Sequence, residues 1–358
     1  MRLRQAPRVL SALVLLCACT TPPLETRPIE SPRFTVIPTA TPITRTPGIA
    51  PIALIEGVSS NSVDSVALDN GAVSALFNGL DGRLHLARVF AQGDLQQVPV
   101  APSRYSSWGL GLAVGPDGSR WIGLERSVLR VRVDGTLEEL PLPVAASRPP
   151  GLAAEAGRNG EVTAIFVDDS VLYLGRAGIP SLTRVDLGSG RVVALALPPD
   201  MPDVGVIAAG PGGDLFLAAN YRATRFAPEP TARLRRSTGQ VEALPYRGRP
   251  LAANRLWLAV ATPDAHFLDS SLQESRAPIA AAKFDLLGFD VLPNGEFVTV
   301  DPSDAVMLFY DVTGNVTRRV PFQTGVHADG RQDRPPHYVV ADGAAVWLVW
   351  GLDVFHVS

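Results

Sequence analysis

The residues of this 358-residue chain that are suited to chemistry are few and far apart. No Gly-x-Ser-x-Gly elbow, His-Glu-x-x-His pair, phosphate-binding glycine loop or Cys-x-x-Cys pair occurs. His327 and His337 share one long polar segment with Asp329 and Asp333, and these types can ligate a divalent cation. A separation of ten positions is no known metal-binding spacing, so we predict no cofactor, with a divalent cation as the alternative.

A second group of residues is suited to binding rather than catalysis. Aromatic and arginine side chains make large contacts at limited entropic cost, and they recur here in polar stretches between apolar runs. The predicted ligand-binding residues are Tyr105, Trp108, Arg126, Tyr221, Arg222, Asp301, His327 and His337. The alternative is that they are ordinary solvated loop residues. The net charge of −3 gives no basic surface for nucleic acid.

A repeated pattern of turn and strand must position these residues. Turn dipeptides followed by an apolar strand recur in steps of 36 to 51 residues, at Asp81-Gly82, Asp117-Gly118, Asp168-Asp169, Gly212-Gly213, Ala253-Asn254, Asn294-Gly295 and Asp342-Gly343. Asp-Gly favours a tight hairpin because it adopts positive φ readily. Seven copies at this spacing predict an all-β protein, a β-propeller with seven blades, six or eight being the alternatives.

Composition and the end of the last repeat support the same fold. Hydrophobic residues make up 46% of the chain and charged residues 19%, and 32 glycines and 32 prolines suit many short strands with many turns. The seventh copy ends after its third strand, at Leu352–Ser358. Ile52–Glu56 is a strand without a blade, so we expect it to complete the last blade and close the ring. The predicted propeller domain is 51–358.

The N-terminus contains a basic stretch and then a short apolar run. Arg2, Arg4 and Arg8 precede Val9–Leu16, which is too short to span a bilayer, and Leu16-Cys17-Ala18-Cys19 follows. This pattern resembles the lipobox of bacterial lipoproteins. The resemblance implies a signal peptide at 1–18, a lipid on Cys19 and an extracytoplasmic, membrane-anchored protein of the cell envelope. A secretory signal without a lipid and a transmembrane anchor are the alternatives.

The segment 19–50 is rich in proline and threonine and has no hydrophobic period. Such sequence stays extended because it has little apolar surface to bury. We therefore predict a tether that holds the domain up to about 90 Å from the membrane.

One repeat resembles known propellers more clearly than the others. Gly115-Pro116-Asp117-Gly118-Ser119-Arg120-Trp121-Ile122-Gly123 is similar to the blades of streptogramin-lyase-like and two-component-regulator propellers, and less closely to those of the gluconolactonase and regucalcin group. Streptogramin lyases cleave a lactone with histidine, glutamate and magnesium, but no set of positions here matches their motif. Gluconolactonase-like propellers hold a metal with glutamate, asparagine and aspartate. Glu125, Asn220 and Asp301 have these types, which are common in a chain of this size.

The resemblance therefore implies a fold and leaves two functions open. We expect a monomeric binding or scaffold module that engages a protein, peptide or glycan through the loops at the channel mouth. The alternative is a metal-dependent lactonase or lyase that uses the same face.

Overall fold

The computed structural model describes residues 27–29, 35–36, 47–60, 63–102, 111–143, 160–219, 229–248, 251–253, 258–261, 265–269, 271–274, 288–325 and 337–358. Nearly all of the regular structure in these residues is β-strand, with one turn of 3-10 helix at Pro211–Gly213. The prediction of an all-β fold is confirmed.

The strands are short and follow one another closely along the chain. Before the first full sheet lie β1 (Arg27–Ile29), β2 (Thr35–Val36) and β3 (Ala53–Leu54). The first two full sheets contain β4 (Ser65–Leu68), β5 (Ala72–Asn78), β6 (Arg83–Phe90), β7 (Leu95–Pro102), β8 (Leu112–Val114), β9 (Arg120–Gly123), β10 (Ser127–Val131) and β11 (Leu137–Pro141). The next two contain β12 (Val162–Val167), β13 (Val171–Arg176), β14 (Ser181–Asp186), β15 (Val192–Ala196), β16 (Val206–Ala209), β17 (Leu215–Ala218), β18 (Pro230–Arg235) and β19 (Gln240–Arg247). The remaining strands are β20 (Leu251–Ala253), β21 (Leu258–Ala261), β22 (Ala265–Leu268), β23 (Phe289–Val291), β24 (Phe297–Asp301), β25 (Val306–Tyr310), β26 (Val316–Pro321), β27 (His337–Asp342), β28 (Ala345–Trp350) and β29 (Asp353–Val357).

These strands form seven antiparallel sheets, which we call blades 1 to 7 in chain order from β4. Six of the sheets have four or five strands, and blade 5 has three described strands. The first strands of successive blades lie side by side, β4 beside β8 and so on to β27, which lies beside β4 again. The ring is therefore closed, and the first strand of each blade is the innermost.

A strand from the N-terminal side completes blade 7, as predicted. Ala53 and Leu54 of β3 pair antiparallel with Val354 and Asp353 of β29. Ile55 follows directly, is fully buried, and packs in the cluster that joins blades 7 and 1. Joining both chain ends in one sheet removes the free seam of an open ring.

The first predicted turn was in the wrong place within its blade. Asp81-Gly82 lies between the second and third strands of blade 1, whereas the other predicted turn dipeptides, where described, follow or end a first strand. Ala253 ends β20, and Asn254 lies outside the described residues. The matching turn of blade 1 is Asn70-Gly71, with φ angles of 47° and 77°. The strand before it, Ser65–Leu68, has little hydrophobic contrast with its surroundings, and for this reason its pattern did not reveal it.

The core lies between neighbouring blades, where second strands are buried on both faces. All seven residues of β5 and all four of β9 are buried. Trp121 and Trp347 occupy equivalent second strands and are 4% and 0% exposed, so both pack between blades.

Two short strands of the segment 19–50 pair with the outside of the propeller. β1 pairs with β11, the outermost strand of blade 2, and β2 pairs with β7, the outermost strand of blade 1. Further along the same segment, the Ile49 N–H donates to the carbonyl of Pro321, the last residue of β26 in blade 6, at 2.9 Å. Part of the predicted tether therefore adds strands to the blades.

Candidate functional site

The alternation of strand direction sorts the connections onto two faces. On one side, which we call the upper face, each first strand begins and the turns between second and third strands lie; the opposite side is the lower face. Three of the residues predicted to bind a ligand, Arg126, Asp301 and His337, lie at the upper face. The other five, Tyr105, Trp108, Tyr221, Arg222 and His327, lie outside the described residues, as does Cys19.

Arg126 is the exposed member of the three predicted residues that the structure describes. It lies in the turn between β9 and β10 of blade 2, and its carbonyl accepts a hydrogen bond from the Leu142 N–H at 2.8 Å. That bond fixes the backbone of the turn and leaves the guanidinium group in solvent, where it can meet a ligand.

Asp301 has a local structural contact. It ends β24 and is 7% exposed, and its Oδ1 accepts a hydrogen bond from the Ser303 N–H at 3.0 Å. This is the usual way in which aspartate stabilises a turn, and little of the Asp301 surface is accessible.

His337 lies in the interior at the junction of blades 6 and 7. It begins β27, is 1% exposed, and stacks on Trp350 with ring centroids 4.8 Å apart. Gly288, where blade 6 begins, makes room for the ring: a Cβ atom there would lie 2.5 Å from its Nε2. Packing between blades therefore uses most of the ring surface.

Asp64 is a further acidic residue on this face, and the sequence pattern did not reveal it. It immediately precedes β4 and is 6% exposed. The Asn78 amide donates to its Oδ2 at 3.0 Å, and the Tyr338 hydroxyl donates to its backbone carbonyl at 2.8 Å. Burial raises the pKa of Asp64 to about 7, despite the opposing hydrogen bonds from Asn78. Recognition of β4 from the sequence would have placed Asp64 at this rim.

Other buried polar groups on the upper face bind the backbone of neighbouring segments. The Arg176 guanidinium donates to the carbonyls of Gly160 at 3.0 Å and Pro143 at 3.1 Å. Asp203, before β16 of blade 4, accepts a hydrogen bond from the Gly178 N–H of blade 3 at 2.9 Å. These contacts tie neighbouring connections of the rim together.

The innermost strands also contain a buried carboxylate that joins two blades. Asp290 of β23 accepts hydrogen bonds at 2.8 Å from its neighbour Val291 N–H and from the Ala341 N–H of β27. Burial raises the pKa of Asp290 to about 6, and the two backbone hydrogen bonds oppose that rise. Its oxygens are thus used in holding blade 6 to blade 7.

Within the described ranges, no group of three or more histidine, cysteine, aspartate or glutamate residues is arranged to hold a metal ion. The same residues include no helix that is long and apolar enough to cross a membrane.

The lower face contains turns in which aspartate has a structural role. Asp117 accepts hydrogen bonds at 2.9 Å from the N–H and the hydroxyl of Ser119 and forms an ion pair with Arg130. Although burial acts to raise it, these contacts together lower the pKa of Asp117. Gly118 has a φ of 75°, as the turn requires. In the repeat at 115–123, Asp117 and Gly118 therefore serve the structure of the turn.

Comparison with known proteins supports the fold and goes no further. The chain matches no family model and no curated protein. A streptogramin B lyase structure is 11% identical over 85% of this chain and 95% of its own, with a TM-score of 0.59. A catalytically inactive variant of virginiamycin B lyase from Staphylococcus aureus, solved with quinupristin, is 12% identical over 84% of this chain and 97% of its own, with a TM-score of 0.57. The WD40 propeller domain of Doa1 is 12% identical over 86% of this chain and 95% of its own, with a TM-score of 0.52. The chain is a β-propeller; identities this low do not show a shared activity.

Proposed function

We propose that this protein is a lipid-anchored, extracytoplasmic β-propeller that binds a protein, peptide or glycan on its upper face. The observation that supports binding is that the buried polar groups on that face form hydrogen bonds with the protein's own backbone and connections. Asp203 and Arg176 bind backbone groups of adjacent connections, and the Asp64 backbone carbonyl is bound by Tyr338. A catalytic site needs convergent reactive groups, whereas a rim of connections tied together, with exposed side chains such as Arg126, suits recognition.

Two exposed side chains on opposite faces allow a matched test. Leu80 is 78% exposed in the upper-face turn of blade 1, and Val133 is 62% exposed in a lower-face turn of blade 2. A benzophenone amino acid at either position reacts with C–H groups of any bound protein, peptide or glycan. Expressed in the source cell and irradiated, the Leu80 variant should give discrete adducts that the Val133 variant does not. Equal adducts from the two faces, or none from Leu80, would contradict the proposal.

The enzymatic alternative has a separate readout. Elemental analysis of the purified protein should find no stoichiometric divalent cation. A bound ion in a one-to-one ratio, together with opening of a lactone that ceases on chelation, would replace the binding proposal with a metal-dependent lactonase or lyase.

The membrane anchor is tested by changing the proposed lipid acceptor. The Cys19→Ala variant should move from the membrane fraction to the soluble extracytoplasmic fraction, because no second acyl site would remain. Cys17→Ala is the control and should stay with the membrane, since that residue leaves with the signal peptide. Retention of the Cys19→Ala variant in the membrane would refute lipid anchoring.

A further inference from the structure

We infer that the segment containing β1 and β2 is a strap that holds the propeller close to the membrane, with the outer edge of blade 2 nearest the bilayer. This inference rests on the proposed anchor at Cys19 and adds the side of the domain that faces the lipid. We use strap for the two paired strands, β1 and β2.

The pairing of the strap is specific in register. Arg27, Pro28 and Ile29 lie opposite Glu139, Glu138 and Leu137 of blade 2. Thr35 and Val36 lie opposite Gln97 and Gln96 of blade 1. Proline is tolerated in β1 because this strand is the outermost of its sheet.

The part of β7 that the strap covers has no protection of its own. β7 is interrupted by Pro99 and ends at Pro102, but residues 95–98, where β2 pairs, contain neither a charge nor a proline, so alone they would present a neutral edge for association. β26, the outermost strand of blade 6, contains Arg318 and Arg319, and their positive charges discourage pairing. Covering this part of β7 thus has a physical reason that is weaker for β26.

The strap shortens the reach of the tether. A free segment from Cys19 to Pro47 could extend about 90 Å. With Arg27 fixed to blade 2, the eight steps back to Cys19 span at most about 29 Å. The lipid is therefore held near blade 2, and blade 6, three places away in a ring of seven, is turned toward the far side.

The strap itself is tested by hydrogen exchange in the chain that begins at residue 19. Replacing residues 27–36 with glycine and serine keeps the tether length and removes the paired strands. The amides of β7 and β11 that face the strap should exchange at least tenfold faster in this variant, whereas those of β15, the outermost described strand of blade 3, should not change. Equal exchange in β7 and β11 would overturn the inference.

A disulfide test remains decisive if that replacement misfolds. In a Cys19→Ser chain beginning at residue 19, Pro28→Cys with Glu138→Cys places two cysteines directly opposite each other, within the reach of a disulfide. This pair should cross-link on mild oxidation. The control, Pro28→Cys with Glu242→Cys, moves the second cysteine to the outer strand of blade 4 and should not. Similar yields from both pairs would overturn the pairing.

The orientation is tested by energy transfer from two equivalent positions. Val133 in blade 2 and Val312 in blade 6 are exposed valines, each two residues before a positive-φ turn glycine. The chain is coupled through Cys19 to a maleimide lipid in vesicles with acceptor dyes on their headgroups, and a donor is introduced at either valine as a noncanonical amino acid. Transfer should be at least twofold greater from position 133, and the difference should vanish when the strap is replaced.

Equal transfer from both positions, or a difference that survives strap replacement, would overturn the inference. Because coupling is chemical, these outcomes do not depend on lipidation in the cell. Failure of the anchor would instead appear in the fractionation of the Cys19→Ala variant.

Discussion

Replacing Asp64 with asparagine should change how the stability of the propeller depends on pH. The carboxyl group lies at the junction of blades 1 and 7 with 6% of the residue exposed. Asparagine has nearly the same shape and keeps an oxygen that can accept the hydrogen bond from Asn78. The substitution therefore removes a buried charge with little effect on packing.

The direction of this pH effect on stability follows from the protonation of Asp64 in the folded and the unfolded protein. Burial raises the pKa of Asp64 from 3.8 to about 7, so between these pH values the folded protein keeps a proton that the unfolded chain releases. The free energy of unfolding consequently falls as pH rises through that interval and is level above it. At about 1.4 kcal/mol per pKa unit, the loss is roughly 4 kcal/mol. Asp64→Asn removes this pH-dependent loss. Between pH 4 and pH 8, the free energy of unfolding of the variant should therefore rise relative to that of the native protein by about the same amount.

Urea unfolding followed by tryptophan fluorescence at several pH values measures this difference. Asp117→Asn is the control, because the pKa of Asp117 is lowered and its contribution is present at neutral pH and lost in acid. Above pH 4 the difference in stability between Asp117→Asn and the native protein should therefore stay nearly constant, whereas that between Asp64→Asn and the native protein should grow up to about pH 7. Parallel pH dependence of the native protein and Asp64→Asn would refute the assignment of a raised pKa. Asp290 titrates in both proteins and cancels in the comparison.

Three further substitutions test the packing between blades by unfolding measurements. Asp69→Ala leaves the buried Arg120 guanidinium without the carboxylate that it binds at 2.8 Å, and should cost about 3–5 kcal/mol; a loss below about 1 kcal/mol would contradict this. Gly288→Ala places a methyl group 2.5 Å from the His337 ring and should cost about 1–3 kcal/mol, whereas Gly188→Ala, whose methyl would meet its nearest atom at 3.6 Å, should cost less than about 1 kcal/mol. Ile55→Ala should cost about 2–5 kcal/mol if the segment after β3 is part of the core, and an unchanged stability would show that ring closure does not depend on it.

The sequence was sufficient to predict the repeat because the turns demand particular residues. Gly118 and Gly295 adopt positive φ angles, and such positions mark the repeated turn in several blades. The closing strand was also predictable, since the last repeat lacked an outer strand. The first blade was shifted because Asp81-Gly82 resembles the repeated turn, whereas Asn70-Gly71 follows a strand with weak alternation.

The site was harder to predict because its residues are defined by contacts between blades. Nothing adjacent to His337 in sequence indicates that Trp350 and Gly288 will enclose its ring. Asp64 is likewise buried by a segment and a strand distant in sequence, as its contact with Tyr338 shows. The pairing of residues 27–36 was missed for a different reason: an edge strand accepts partners through its backbone, and backbone pairing leaves little side-chain pattern.

The two faces of the ring differ in what their aspartates do, and this difference bears on where function resides. On the lower face, Asp117 binds Arg130, Asp168 forms an ion pair with Arg236, and the Arg233 guanidinium donates to Asp214 at 2.6 Å. An aspartate that is repeated in the turns and paired with arginine has its charge balanced within the fold, so these three aspartates serve the structure of the turns. The upper face instead has connections of unequal length and sequence, with Arg126 and Leu80 exposed on it. Because specificity requires features that the repeats do not share, this difference supports the proposal that recognition occurs on the upper face.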